Sequence, residues 1–291
     1  MYKIMNATKK LLAVLFVLTL VAGQVLSAQT IKTPAFAQPL VEQWVKVYNA
    51  SHSDSPVSMA AKGTEADIQV VVSHQQELQL GQQTITFGRF AILPFTTQGS
   101  EAAQVFGSRR INKTRLEHIY FNVSEEEDEF GDYADANKGM TIYSGNSQAT
   151  VANSFAEYFG QSATAFRGKR IQGDDRFVNM AVSRDQKGLA FNALSNLYDL
   201  ETRQLKQGIQ LLHLDVKRDV QNALEEGTLD NLLTSLEEHS SETIATSEIG
   251  LNFDTQNQAA CQFVAWVLAE GVQYNHQFGL LNNNLELQAN K

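Results

Sequence analysis

The chain has 291 residues, 43% of them hydrophobic, a single cysteine and a formal net charge of −9 at pH 7. That length supports one large domain or two lobes with a full core, and the lone Cys261 rules out an intrachain disulfide. The acidic balance argues against nucleic acid or an anionic membrane surface as partner.

The first residues have the three parts of an export signal. Lys3, Lys9 and Lys10 give a positive start, Leu11 to Ala22 is an apolar run, and Ser27 and Ala28 are small residues ahead of Gln29. The run is shorter than the ~20 apolar residues a spanning helix needs. Cleavage is expected near Ala28, releasing a periplasmic protein that is not inserted in the membrane. No cysteine lies near that point to accept a lipid. Losing three lysines and no acids takes the net charge from −9 to −12. Acidity of this kind still leaves room for a small anion held by backbone dipoles.

Beyond the signal, helical and extended patterns alternate. Phe36, Leu40, Val41, Trp44, Val45 and Tyr48 recur at helical spacing and predict a helix over 37–50. Ile68 to Val72 is a β-branched run and reads as a buried strand, and Thr84 to Thr97 is a longer extended stretch. Asn112 is placed to cap a helix over Lys113 to Tyr120. Ser124 to Asp135 is rich in acids and reads as a solvated loop. Met140 to Tyr143 predicts a short strand, and Val151, Phe155 and Phe159 a helix that stops at Gly160.

Two apolar runs follow, Phe177 to Val182 and Leu189 to Leu200, divided by Arg184 to Lys187. Leu211 to Asp215 looks extended. Val220 to Glu238 reads as mainly helical, with Leu229, Leu232, Leu233 and Leu236 on one face. Ile244 to Phe253 is strand-like, and Gln258 to Asn275 is the last long helix, with Cys261 in it as a small buried hydrophobe. Short strands alternating with helices predict an α/β architecture with largely parallel sheets. In a two-lobed version without flexible linkers, Phe90 to Thr97 and Ile249 to Asp254 are the candidates to cross between lobes.

Catalytic signatures are missing. No two of the six histidines have metal-binding spacing, Gly-x-Gly-x-x-Gly does not occur, and neither a metal nor a cofactor is implied. Asp215 to Glu226 has the outline of a calcium loop, but Val220 stands at the turn and Lys217 at a ligand position. Two stretches, Thr33 to Ala37 and Tyr143 to Thr150, are polar or small and each precedes a helix. A helix start offers unpaired N–H groups and about half a positive charge, so each stretch either caps its helix or holds an anion.

Four segments then resemble one family in the right order. Pro39 to Trp44 matches its first helix, and Ile111 to Phe121 is similar to its L-T-x-x-x-L-x-x-I-F helix. Ile142 to Gly160 sits where it has R-x-D-G-S-G-T followed by F-x-x-Y-F, and Phe263 to Gln273 resembles its F-x-x-W-x-L-x-x-G-Q helix. The family is the phosphate-type periplasmic substrate-binding proteins of ABC importers.

The resemblance implies a two-lobed α/β periplasmic-binding-protein fold of type 2 with crossing hinge strands. Residues 29–95 and 249–291 would form one lobe and residues 96–248 the other. It also implies a monomer that binds a small molecule or oxyanion and hands it to an ABC permease, without catalysis. By position, the ligand contacts would be Ala35 and Phe36, then Gly63 and Thr64, then Ser144, Asn146, Ser147, Gln148 and Thr150.

Three departures bear on the ligand. Ala35 replaces a hydroxyl residue, Ser144 or Gly145 replaces an arginine, and the aspartate that accepts a phosphate proton falls on Val71 or Val72. A charge-assisted bond contributes about 1.5–3 kcal/mol against ~1 kcal/mol for a neutral one, so these losses weaken oxyanion affinity. Two readings follow: capture of phosphate or a related oxyanion for import, or a non-transport sensor or envelope interaction module on the same fold with a lost oxyanion site.

Overall fold

The computed structural model describes residues 28–72, 80–107, 110–122, 139–146 and 149–283. The export signal up to residue 27 and the acidic segment 124–135 lie outside the described residues, as do Ser147 and Gln148.

Strand β1 (Gln29–Lys32) leads through Pro34 into a single 3₁₀ turn, Ala35–Ala37, and on into α1 (Gln38–Ser51). Pro39 sits in the first turn of α1, where a missing N–H costs nothing. Leu40, Val41, Trp44 and Tyr48 form the buried stripe of α1, and the Trp44 indole donates to the Gly271 carbonyl at 2.8 Å. Short β2 (Val57–Met59) and β3 (Ile68–Val72) flank β1, both parallel to it.

The long strand β4 (Gln82–Thr97) comes next, then α2 (Glu101–Phe106) and α3 (Lys113–Tyr120). Asn112 caps α3 as its sequence predicts, its side chain accepting from the Arg115 amide at 2.9 Å. Strand β5 (Thr141–Gly145) leads into α4 (Thr150–Tyr158), and β6 (Lys169–Ile171) into α5 (Arg176–Val182). The apolar run 189–200 divides into β7 (Gly188–Ala193) and the one-turn α6 (Leu194–Leu197).

After β8 (Ile209–Leu211), the helical stretch 220–238 is two helices, α7 (Arg218–Glu226) and α8 (Leu229–Glu238). Gly227 breaks it with a φ of +70°, a conformation that favours glycine. Strand β9 (Ala245–Asp254) and α9 (Gln258–Ala269) follow, and α9 ends earlier than its periodicity predicts, giving way to a 3₁₀ turn at Gly271–Tyr274.

The nine strands form one curled sheet in the order β2-β1-β3-β9-β4-β7-β5-β6, with β8 beside β4. Parallel pairs lie at the two ends, but β3–β9, β9–β4 and β4–β7 are antiparallel. The expectation of largely parallel sheets is therefore corrected at the centre. Strands buried on both faces have the same apolar signature in either orientation, so the pattern could not separate them.

Those central strands run between the two halves of this α/β sheet. Strand β9 pairs with β4 along its whole length and with β3 over Ile249–Phe253, while β4 continues onto β7 over Ile92–Thr96. Each half has its own aromatic core. Tyr48, Phe263 and Trp266 pack edge to face or stacked in one. In the other, Phe155 stacks on Phe191 at 4.0 Å, and Tyr120 and Phe166 close around them. Such pairs add about 0.5–1.5 kcal/mol each beyond their buried area, which lets each half hold its shape.

Candidate functional site

Ahead of α4 the Ala149 amide donates to the Asn146 carbonyl at 3.0 Å. Ala149 is the N-cap of α4 and has no side chain that can accept from the first amides. The buried carboxylate of Asp175 lies beside this helix start, across Gly145. Asp175 immediately precedes α5 yet makes no capping bond to α5 itself.

Gly145 makes room for this arrangement. A Cβ at that position would lie 2.5 Å from the Ala149 methyl and 3.1 Å from Asp175 Oδ1. Asp175 is only 7% exposed, and burial pushes its carboxyl up to about 7, with Asp174 adding like-charge repulsion. Asp174 is itself held by Arg176 at 2.7 Å, and that guanidinium keeps its carboxyl low against its own desolvation.

A string of buried amides runs from Asp175 toward the other half. The Asn192 amide, at the end of β7, donates to the Asp175 carbonyl at 2.9 Å and to Asn179 Oδ1 at 2.8 Å. Asn192 Oδ1 accepts from the Asn196 side chain and from the Ala193 amide, both at 2.9 Å. Asn179 in turn donates to the Asn196 carbonyl at 2.9 Å. The strand-to-helix switch at Ala193 is what brings Asn192 and Asn196 onto one side. The string ends at Ser195, whose hydroxyl donates to the Phe36 carbonyl at 3.0 Å.

Lys206 sits on the last carbonyls of α6, donating to Asn196 O at 2.9 Å. Desolvation lowers its pKa; Asp199 opposes that shift and Arg176 adds to it. Two cations, Arg176 and Lys206, thus lie close enough to feel one another beside the amide string.

The predicted contacts are distributed unevenly around this string. Ala35 is half-buried in the 3₁₀ turn, and Phe36 is buried with its ring 4.5 Å from Phe90. Thr150 opens α4 and is buried. Phe36 and the start of α4 therefore stand at the two ends of the string. Asn146 donates to Gln172 at 2.7 Å instead. Ser144 is fully buried in β5, and its hydroxyl has no partner among the described residues.

Gly63 and Thr64 occupy an exposed turn between β2 and β3, where Gly63 has a φ of +84° and the Thr64 hydroxyl donates to Ala61 O at 2.8 Å. No hydrogen bond joins them to the string among the described residues. Val71 and Val72, in the aspartate's place, are buried in β3.

A groove of about 380 Å³ lies elsewhere, between β8 and α7, lined by Ile209, Leu211, His213, Gln221 and Glu225 among others, and shares no residue with the string. Among the described residues no cluster of His, Cys, Asp and Glu could hold a metal, and no helix is long and apolar enough to cross a membrane.

No protein-family model and no curated protein matches the sequence. Solved structures do match the fold. An ABC-type phosphate transport receptor from Vibrio cholerae superposes with a TM-score of 0.58 at 11% identity, covering 88% of this chain and 100% of its own. A phosphate ABC transporter substrate-binding protein from Clostridium perfringens, with bound phosphate, gives 0.59 at 10% identity, covering 89% and 100%. The OxyR regulatory domain from Pseudomonas aeruginosa gives 0.50 at 7% identity, covering 86% and 99%. The chain thus has the fold that its four motifs resemble, and that fold also serves a regulatory domain.

Proposed function

We propose that this chain is an exported solute-binding protein that captures a small oxyanion between its lobes and delivers it to an ABC permease. The observation that carries the reading is the buried amide string, which runs from the Phe36 turn of one half to Asp175, beside the start of α4, in the other. Ligand sites form preferentially at such seams, where a few fixed polar groups set orientation. Phosphate receptors share the fold over nearly the whole chain, and the export signal supports a periplasmic location.

In this reading residues 29–95 and 249–291 form one lobe and 96–248 the other, with β4 and β9 as the hinge. Phe36, Thr150 and the amides that follow face the ligand. Calorimetry of the mature protein with phosphate, sulfate and molybdate tests it. Saturable binding of at least one is expected, and no heat from any of the three at millimolar ligand would contradict it.

A second reading has a specific observation behind it. Ser144 and Gly145 stand where the arginine belongs, and a regulatory domain shares the fold. A non-transport sensor or envelope interaction module would bind none of the three oxyanions.

A further inference from the structure

We infer that residues 275–283 form a strap across the hinge, which holds the two halves together around the seam before any ligand arrives. The inference rests on the lobe assignment above, with 249–291 in one half and 96–248 in the other, and it names what sets the angle between them.

The strap is first fixed to the hinge strand β4. Arg89 and Leu281 exchange both backbone bonds, at 2.9 and 2.8 Å. Asn275 is fully buried and donates to the Phe87 carbonyl at 3.1 Å and to Asn282 Oδ1 at 3.2 Å. Asn283 donates to the Thr86 carbonyl at 3.2 Å. Leu280 and Leu281 are fully buried, so the strap is anchored in the core as well as along the strand.

Its other side is held by two charged residues of the opposite half. Arg203, between α6 and β8, grips Asp230 of α8 with Nη2 at 2.7 Å and Nε at 3.1 Å. The same guanidinium donates to the His276 carbonyl at 2.6 Å and to the Gln277 carbonyl at 2.8 Å. These are carbonyls of the short 3₁₀ turn His276–Phe278. Glu237, near the end of α8, takes the Asn282 amide at 2.5 Å and pairs with His276 Nε2 at 2.8 Å. Charge-assisted bonds of this kind are the strong ones, and the Asp230 and Glu237 ends are both seated on one helix.

Arg203 bears the sign of a fixed joint. Among the described residues it is the one non-glycine with a positive φ, +63°. A side chain in that region strains the backbone and persists where the surroundings over-determine it. Here they do: the Arg203 amide donates to the Asp199 carbonyl at 2.9 Å, and its carbonyl accepts the Leu229 amide, which opens α8, at 2.8 Å.

Two strands crossing between two bodies leave a soft bending axis, and a third attachment away from it fixes the angle. The strap is that third attachment. It also bears on the seam, because Gly279 lies against the Ser195 backbone, where a Cβ would stand 3.3 Å from the Ser195 nitrogen. Ser195 is the residue that reaches the Phe36 carbonyl of the other half. The seam is therefore assembled in advance, and ligand binding energy is not spent on closing the halves.

Small-angle X-ray scattering of the mature protein tests this, on the wild type and on the double variant Arg203→Gly with Glu237→Ala. Glycine accepts the left-handed φ, so the first change removes the guanidinium without adding strain. The ligand-free wild type should fit this arrangement, with a radius of gyration near the ~18 Å of a compact chain of this size. The double variant, its fold checked by circular dichroism, should be larger by about 1 Å than that compact value. Millimolar sulfate should leave the wild-type curve unchanged and bring the variant back to it. A ligand-free wild type that needs a more open arrangement overturns the strap, and so does a contraction of the wild type on adding sulfate. A folded double variant with the wild-type radius overturns it as well. A double variant that sulfate does not contract, with no heat of binding from either protein, overturns the oxyanion reading alone, because the ligand-free comparison needs no ligand. Where the double variant does not fold, Glu237→Ala, which cuts only the His276 and Asn282 contacts, takes its place.

Discussion

Asp175 is a buried acid whose folded pKa lies above its unfolded value, which sets the sign of its effect on stability. The folded state holds its proton more tightly, so its contribution is complete below about pH 4 and is lost as the pH rises to about 7. Asp175→Asn keeps the size of the side chain and removes the charge. It should raise stability at pH 8 by about 2–4 kcal/mol and leave it nearly unchanged near pH 4, read from urea unfolding at both values. Asn192→Ala acts in the opposite direction at all pH values, because it strands Asn179 Oδ1 and the Asn196 side-chain amide, while the Asp175 carbonyl keeps only the Val178 amide. A loss of about 2–4 kcal/mol is expected in the same assay. The Asn112 cap was legible in the sequence because capping is local. Asp175 was not, since an acid before an apolar run reads as the cap of its own helix, and nothing local says that its side chain makes no such cap.

At the scale of elements, the strongly patterned segments were legible and the ambiguous ones were resolved by packing. Ile68 to Val72 reads as a strand because β-branched residues crowd a helix and suit a pleated surface. The run 189–200 carries no such signal, and only the fold places a strand end and a helical turn within it. Gly88 is a position where the element itself can be tested. It lies at the register shift in β4, and a Cβ there would stand 2.7 Å from the Leu281 carbonyl and 3.0 Å from Asn275 Nδ2. That carbonyl is fixed by the Arg89 amide at 2.9 Å, so the clash cannot be relieved by a side chain alone. Gly88→Ala should cost about 1–3 kcal/mol and expose the segment after residue 279 to proteolysis before the rest of the chain. Gly227→Ala, at a positive φ with open space around it, should cost only ~1 kcal/mol by the same unfolding measurement.

Taken as a whole molecule, the chain joins two aromatic cores through a pair of long antiparallel strands. The alternation of strands and helices made the α/β class readable, but the seam between the halves was not. Its residues, Asn179 on one helix and Asn192, Ser195 and Asn196 at a strand-to-helix switch, make no recognisable motif. Burial of amides at a strand end is a tertiary event. Sequence singled out the two helix starts; the structure supplies the polar bridge between them and the carboxylate at one end.

A crystal structure of the mature protein grown near pH 5.5 in saturating sulfate asks most directly whether anion capture happens at that bridge. Sulfate should lie in the seam, held by the first amides of α4 with the Phe36 turn closed onto the same anion. A seam without sulfate at saturating concentration would contradict the account.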